Sequence, residues 1–406
     1  MRHLLLFLCF LCLAAATPTL VKAAEQNQIT DSQVDYSFGG SVTFQAMLPP
    51  DQPVDKVEVF MQSEGETETI VGEANLQDGR LSYILDLSEH PLRPFSEVTY
   101  WYRVSPQAGE PYNTPPSTFF YGDNRYIWQE LESPPFRVHW YDGDASFGQH
   151  VLDTAQAGLD KIQGIFPSDS PLEPIDIYVY ASGLEMQSTL RLAGLNWVAG
   201  HADPELRVIM VSLPPGPDQR LETERKLPHE LMHILMYQLT GPVYFSLPVW
   251  FREGMASIAE IKPNPDYYII LNSAVEKDEL LPIALLCNNF PSDASLVYLA
   301  YAESASFSSY LQYQYGNSGL QALLKNYADG FGCERGPELA LGASLTRLDG
   351  DWRQAVFGER AILTALENLA PWLFIFGIVL AVPLALTLGS LRRGRRSART
   401  TQTESG

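Results

Sequence analysis

Positive charge is scarce in this chain of 406 residues. Lys and Arg number 27 against 48 Asp and Glu, a formal net charge of −21. Setting aside Arg2 and Lys22 near the start, and five arginines and Glu404 after position 391, leaves 20 basic residues against 47 acidic ones. So acidic a body repels nucleic acid and anionic lipid headgroups, and neither is expected as a partner. Cysteine is equally sparse. Of four, Cys9 and Cys12 fall within the first 24 residues. Cys287 and Cys333 remain; their spacing matches no zinc motif, and it leaves open whether they form a disulfide. Histidine is limited to seven residues. His90, His139, His150 and His201 have no partner at ligand spacing and read as solvated or hydrogen-bonded side chains. No phosphate loop, nucleotide fingerprint, nucleophile elbow or internal repeat occurs, so nothing points to phosphate-cradling or serine-nucleophile chemistry.

Each end of the chain carries an apolar run. Residues 1–24 have a short basic start, an apolar stretch from Leu4 to Ala16 and small residues at Ala23-Ala24, the pattern of a secretory signal peptide. Leu369 to Leu391 is uncharged over 23 residues and is followed by Arg392, Arg393, Arg395, Arg396 and Arg399. At 1.5 Å per residue such a run spans roughly 30 Å of hydrocarbon. The expectation is a single transmembrane helix at 369–391 and a basic cytoplasmic tail at 392–406. The rest of the chain would then lie outside the cytoplasm, held to the cell membrane by that helix.

Between these ends the residue pattern changes once. Residues 34–123 contain short alternating runs such as Val57-Glu58-Val59-Phe60 and Val98-Thr99-Tyr100-Trp101-Tyr102, separated by Pro49-Pro50, Asp78-Gly79 and Pro91. About ninety residues of this kind predict an all-β sandwich of immunoglobulin or fibronectin type. From Ser133 to residue 358, strand-like runs (Phe136–Tyr141, Ile175–Tyr180, Val208–Ser212) alternate with apolar residues at helical spacing, and the remainder is helical. The expected architecture is therefore multidomain: the sandwich, an α+β domain over 133–358, and one C-terminal transmembrane helix.

The chemistry concentrates in His229-Glu230-Leu231-Met232-His233. Two histidines four apart on a helix lie one turn apart on one face, so both imidazoles can reach one metal ion. The glutamate beside the first projects next to that ion, where it can take a proton from water. A catalytic zinc needs a third protein ligand. Glu253 offers it, twenty positions past His233, in Pro248-Val249-Trp250-Phe251-Arg252-Glu253-Gly254-Met255-Ala256 on a second predicted helix. Pro228 directly before His229 predicts that the first helix starts near Lys226 or is kinked there.

His-Glu-x-x-His followed by Trp-x-x-Glu-Gly-x-Ala resembles the gluzincin metallopeptidases, and among them the peptidase-MA-like family, over roughly Phe136 to Phe357. The resemblance implies a zincin-type domain that binds one zinc ion per chain through His229, His233 and Glu253, with Glu230 as general base. It implies a peptide or protein as substrate. Some gluzincins orient the first histidine with an acidic residue four places after the ligand Glu. Here that place is Ser257, and Glu260 is the alternative. The family commonly supplies a Tyr or His donor to the reacting carbonyl, for which Tyr301 and then Tyr298 are the candidates. It also places an open sheet edge beside the metal helix, which Val208–Ser212 would provide. Two other functions fit the same residues: a zinc-containing cell-surface binding protein or adhesin without proteolysis, and a metal-dependent amidase acting on a non-peptide substrate.

Overall fold

The structure, a computed structural model, describes residues 29–49, 53–168, 170–190 and 200–400; along the last helix, side chains are described for 345–358 and 369–383. Residues 1–24, read as a signal peptide, and the 392–406 tail side chains lie outside that description. Contacts divide the chain into two compact units, residues 1–128 with 187–193 and residues 129–186 with 194–406.

The first unit is a β-sandwich. Its strands are β1 (Thr30–Ser37), β2 (Ser41–Met47), β3 (Val54–Ser63), β4 (Ile70–Glu73), β5 (Asn75–Gln77), β6 (Arg80–Asp86), β7 (Ser96–Pro106), β8 (Tyr112–Asn113) and β9 (Ser117–Tyr121). One sheet has the order β1-β2-β6-β5; the other has β4-β3-β7-β8, with β9 also paired to β7. Side chains alternate faces along a strand, so the alternating sequence buries Val42, Phe44, Val57, Val59, Met61, Leu81, Leu85 and Val98 in one core shared by both sheets.

The second unit is built on a mixed sheet. Its elements begin with β10 (Gln129–Ser133), β11 (Phe136–Trp140), α1 (Ala145–Ile165), β12 (Ile175–Tyr180), α2 (Gly183–Thr189, whose last three residues belong to the first unit), β13 (Gly200–Asp203) and β14 (Val208–Ser212). Strand order is β10-β11-β12-β14-β13. The middle three strands are parallel, and β10 and β13 add antiparallel edges. The three parallel strands are almost wholly buried, which is why they read as apolar runs. Val208–Ser212 is therefore an inner strand; the edge is β13, whose sequence Gly-His-Ala-Asp has no hydrophobic pattern to announce it.

Helices complete the unit: α3 (Gln219–Thr240), α4 (Val249–Ala259), α5 (Asp266–Lys277), α6 (Ala294–Ala328), α7 (Arg335–Leu341) and α8 (Leu345–Thr400). A 3₁₀ turn, Gly241–Ser246, joins α3 to α4. Gly316 interrupts α6 with φ 67°, a left-handed conformation that glycine adopts without strain. Cys287 and Cys333 are joined as a disulfide.

Two expectations need correction. Helix α3 begins at Gln219 and runs through Pro228, well before Lys226. A proline has no N–H, so the carbonyl of Glu224 four residues earlier loses its helical partner. That oxygen accepts the Ile261 amide at 2.9 Å instead, a tertiary contact that the local sequence does not announce. The second correction concerns the C terminus. Among the described residues no helix is long and apolar enough to cross a membrane, which overturns both the transmembrane helix at 369–391 and the single-pass membrane location.

Candidate metal centre

Helices α3 and α4 supply the site. His229 and His233 are successive turns of α3, their rings 5.2 Å apart and inclined at 73°. Nε2 of His229 lies 3.4 Å, and Nε2 of His233 3.7 Å, from the same oxygen, Oε2 of Glu253 on α4. One donor atom from each of the three residues falls within 4.8 Å of the others. Two imidazole nitrogens and a carboxylate converging in this way are a donor set that suits a divalent ion of zinc's type.

The crossing of α4 over α6 explains the glycine after Glu253. A methyl group at Gly254 would run into Ser308 Oγ and stand 2.6 Å from the Ser304 carbonyl. Only a residue without Cβ lets α4 lie this close to α6. Trp250 and Phe251, both fully buried, fasten the start of α4 in the core. The disulfide borders that start: the Val249 amide donates to the Cys287 carbonyl at 2.9 Å, and the Trp250 indole N–H donates to Cys333 Sγ at 3.3 Å.

The far sides of both imidazoles are also engaged. Glu260, just past the end of α4, places Oε1 3.2 Å from Nδ1 of His229. Ser257, where an acidic residue was expected, leaves this position to Glu260. The fold brings Glu260 there through Glu224, whose carbonyl holds the Ile261 amide. At His233, the hydroxyl of Tyr244 stands 2.9 Å from Nδ1.

Glu230 is buried at 8 % exposure. Burial pushes its carboxyl up to about 7, an effect that the His229 charge opposes and the Glu253 and Glu260 charges reinforce. Burial likewise holds His233 down at about 4. For Glu253 burial acts upward, but the two histidines outweigh it and keep the carboxyl below its ordinary range. His229 resolves the other way: burial disfavours its charge, while hydrogen bonds to Glu253 and Glu260 hold its pKa well above the ordinary value.

Tyr301 on α6 is within reach of this group's charges. The Glu253 charge, then burial, then the Glu230 charge raise its pKa well above the ordinary phenol value. Its ring meets Phe290 edge-on at 5.0 Å. Tyr298 is 43 % exposed. His139 belongs elsewhere, with Nε2 2.8 Å from Asp176 Oδ1 and its ring stacked on Tyr178. His201, on the edge strand β13, lies close enough to disfavour the charged form of His233. Beside it, a Cβ at Gly200 would overlap the Glu230 carboxylate, 2.9 Å from its Cδ. Neither His201 nor Tyr244 has a sequence spacing to reveal it, because β13 and the 3₁₀ turn reach the metal-binding group only through the fold.

Residues 154–358 match the family model of the Peptidase MA superfamily. The chain belongs to the peptidase MA superfamily. No curated protein sequence matches this peptidase MA superfamily chain. Among solved structures, the crystal structure of a Br derivative of BhCBM56 is 13% identical, with a TM-score of 0.19 over 24% of this chain and 95% of that one. Wild-type OgpA from Akkermansia muciniphila is 14% identical, with a TM-score of 0.21 over 25% of this chain and 30% of that one. The purple acid phosphatase PPD1 of yellow lupin (Lupinus luteus) is 12% identical, with a TM-score of 0.21 over 51% and 40%. Scores this low leave each as a similarity alone.

Proposed function

We propose that this superfamily member is a zinc-dependent peptidase of the gluzincin type, acting on a peptide or protein. The observation that carries the reading is the convergence of His229, His233 and Glu253 beside a buried glutamate whose carboxyl is raised towards neutrality. Zinc held by these three side chains supplies Lewis-acid polarisation of a carbonyl and acidifies water.

The chain's own residues do the rest. A carboxyl near neutrality can both accept and return a proton, as a general base that later serves as acid must. Glu230 takes the proton of the water whose oxygen bonds to the scissile carbonyl carbon. As the C–N bond breaks, the same carboxyl passes that proton to the departing amine. The Tyr301 phenol, kept protonated by the surrounding negative charge, donates a hydrogen bond to the carbonyl oxygen as charge builds there. Strand β13 has an edge not paired to another strand among the described residues, and its backbone runs against Glu230. An extended peptide can pair there through main-chain hydrogen bonds, whatever its side chains.

Glu230→Gln tests the reading. The variant should bind zinc stoichiometrically and lose about 10²- to 10⁴-fold in peptide hydrolysis, the usual contribution of a positioned base. A wild-type protein without stoichiometric zinc, or a Glu230→Gln variant as active as wild type, refutes it.

A further inference from the structure

Where a carboxylate takes the Nδ1 side of His229, a phenol takes that of His233. Tyr244 sits in the 3₁₀ turn directly after α3, 5 % exposed, with its hydroxyl oxygen 2.9 Å from His233 Nδ1. Its ring is gripped on several sides. Tyr237 and Phe245 pack against it edge-on at 6.0 and 5.3 Å. The Arg252 guanidinium lies 5.2 Å from the ring centroid.

A neutral imidazole carries one ring proton, and the nitrogen that lacks it is the one able to bind a metal. Nε2 of His233 is turned towards Glu253, whose Oε2 lies 3.7 Å away; with an ion held there by the Nε2 lone pair, the ring proton is on Nδ1, facing the Tyr244 oxygen 2.9 Å away that can accept it. We infer that Tyr244 is a positioning residue: when His233 holds an ion through Nε2, the Tyr244 hydroxyl accepts the Nδ1 proton and keeps the ring at the angle that presents Nε2 to the metal. The inference rests on the reading of His233 as a metal ligand, though not on any catalysed reaction.

Tyr244→Phe keeps the ring and removes only the hydroxyl. In the full chain, zinc affinity measured by chelator competition should fall about 10- to 100-fold, the usual effect of removing a partner that orients a metal-bound histidine. The Co(II)-substituted variant should show shifted d–d absorption bands. Tyr237→Phe, which removes a hydroxyl from the adjacent ring, should leave both readouts as in wild type. Zinc affinity and Co(II) bands unchanged in Tyr244→Phe overturn the inference. Should that variant melt too low to titrate, proton NMR of the zinc-loaded wild type serves: a His233 Nδ1 proton protected from exchange with solvent supports the inference, and one that exchanges freely overturns it. Wild type that takes up no zinc refutes the peptidase reading, whereas zinc uptake indifferent to Tyr244 refutes this inference alone.

Discussion

The carbonyl of Glu224 accepts the amide of Ile261 at 2.9 Å, and Pro228, four residues further along α3, leaves it free to do so. This contact draws the chain leaving α4 against α3, and Glu260, the residue before Ile261, then reaches His229. Pro228→Ala restores the helical N–H that competes for Glu224. Although the substitution favours helix locally, by up to about 3 kcal/mol on intrinsic propensity, zinc affinity should fall. Glu260→Gln should lower it by about 10-fold or more, since a neutral amide accepts the Nδ1 proton less strongly than a carboxylate. Chelator competition on both variants checks this. Unchanged affinity in Glu260→Gln would show that the contact does not bear on the metal.

Gly254 is set by the approach of α4 to α6, where a methyl group meets Ser308 Oγ and the Ser304 carbonyl. The side chain of Ser308 can turn aside, but the carbonyl belongs to the backbone of α6. Gly254→Ala should therefore destabilise the protein by roughly 1–3 kcal/mol, the usual range for overpacking a close-packed interior. Urea unfolding measures it. A variant as stable as wild type would mean that the two helices separate at no cost.

Glu303 on α6 is fully buried, with Oε1 accepting the Leu281 amide at 2.8 Å. Burial pushes its carboxyl up to about 8 from an ordinary 4.5. Between those values the unfolded chain gives up a proton that the folded chain retains. The stabilising contribution is thus complete below pH 4.5 and is lost as pH rises through 8. At its largest the effect is on the order of a few kcal/mol. Glu303→Gln, neutral throughout, should flatten this slope in denaturant unfolding followed from about pH 5 to 8.5. Equal slopes in the two proteins would argue that Glu303 is ionised in the fold.

The disulfide between Cys287 and Cys333 spans 46 positions of sequence. On the loop-closure account, a link of that length stabilises by about 4 kcal/mol. Cys287→Ser with Cys333→Ser should lose much of this in thermal or denaturant unfolding. Because both cysteines border Val249 and Trp250, zinc affinity should fall as well. Loss of stability with metal binding intact would show that the bridge supports the fold without bearing on Glu253.

What sequence reveals here follows the range of the interactions. Side chains four apart on a helix must share a face, so the pairing of His229 with His233 is legible without coordinates. Alternation marks β2, β3 and β7 for the same reason. Strand β13 is short and unpatterned, so the edge of the sheet cannot be read from it. Tyr244 looks like an ordinary turn residue until α3 and α4 are packed together, and Glu260 is put forward only by the family resemblance. Pro228 is the instructive case: read locally it marks a helix start or a kink, whereas in the fold the Glu224 carbonyl that it leaves without a helical partner accepts the amide of Ile261. The uncharged run from Leu369 reads as a membrane span by length and hydropathy, yet among the described residues no helix is long and apolar enough to cross a membrane.

The bridged cysteines hold the beginning of α4, and the Glu224 carbonyl holds the chain just beyond its end. Glu253 lies between these two anchor points, so its carboxylate has little room to wander when no ion is present. The coordination sphere is accordingly preorganised, and the entropy of assembling it is spent during folding and not at metal uptake. Capture of the ion should proceed with small backbone displacement, leaving amide hydrogen exchange along α4 nearly the same before and after loading.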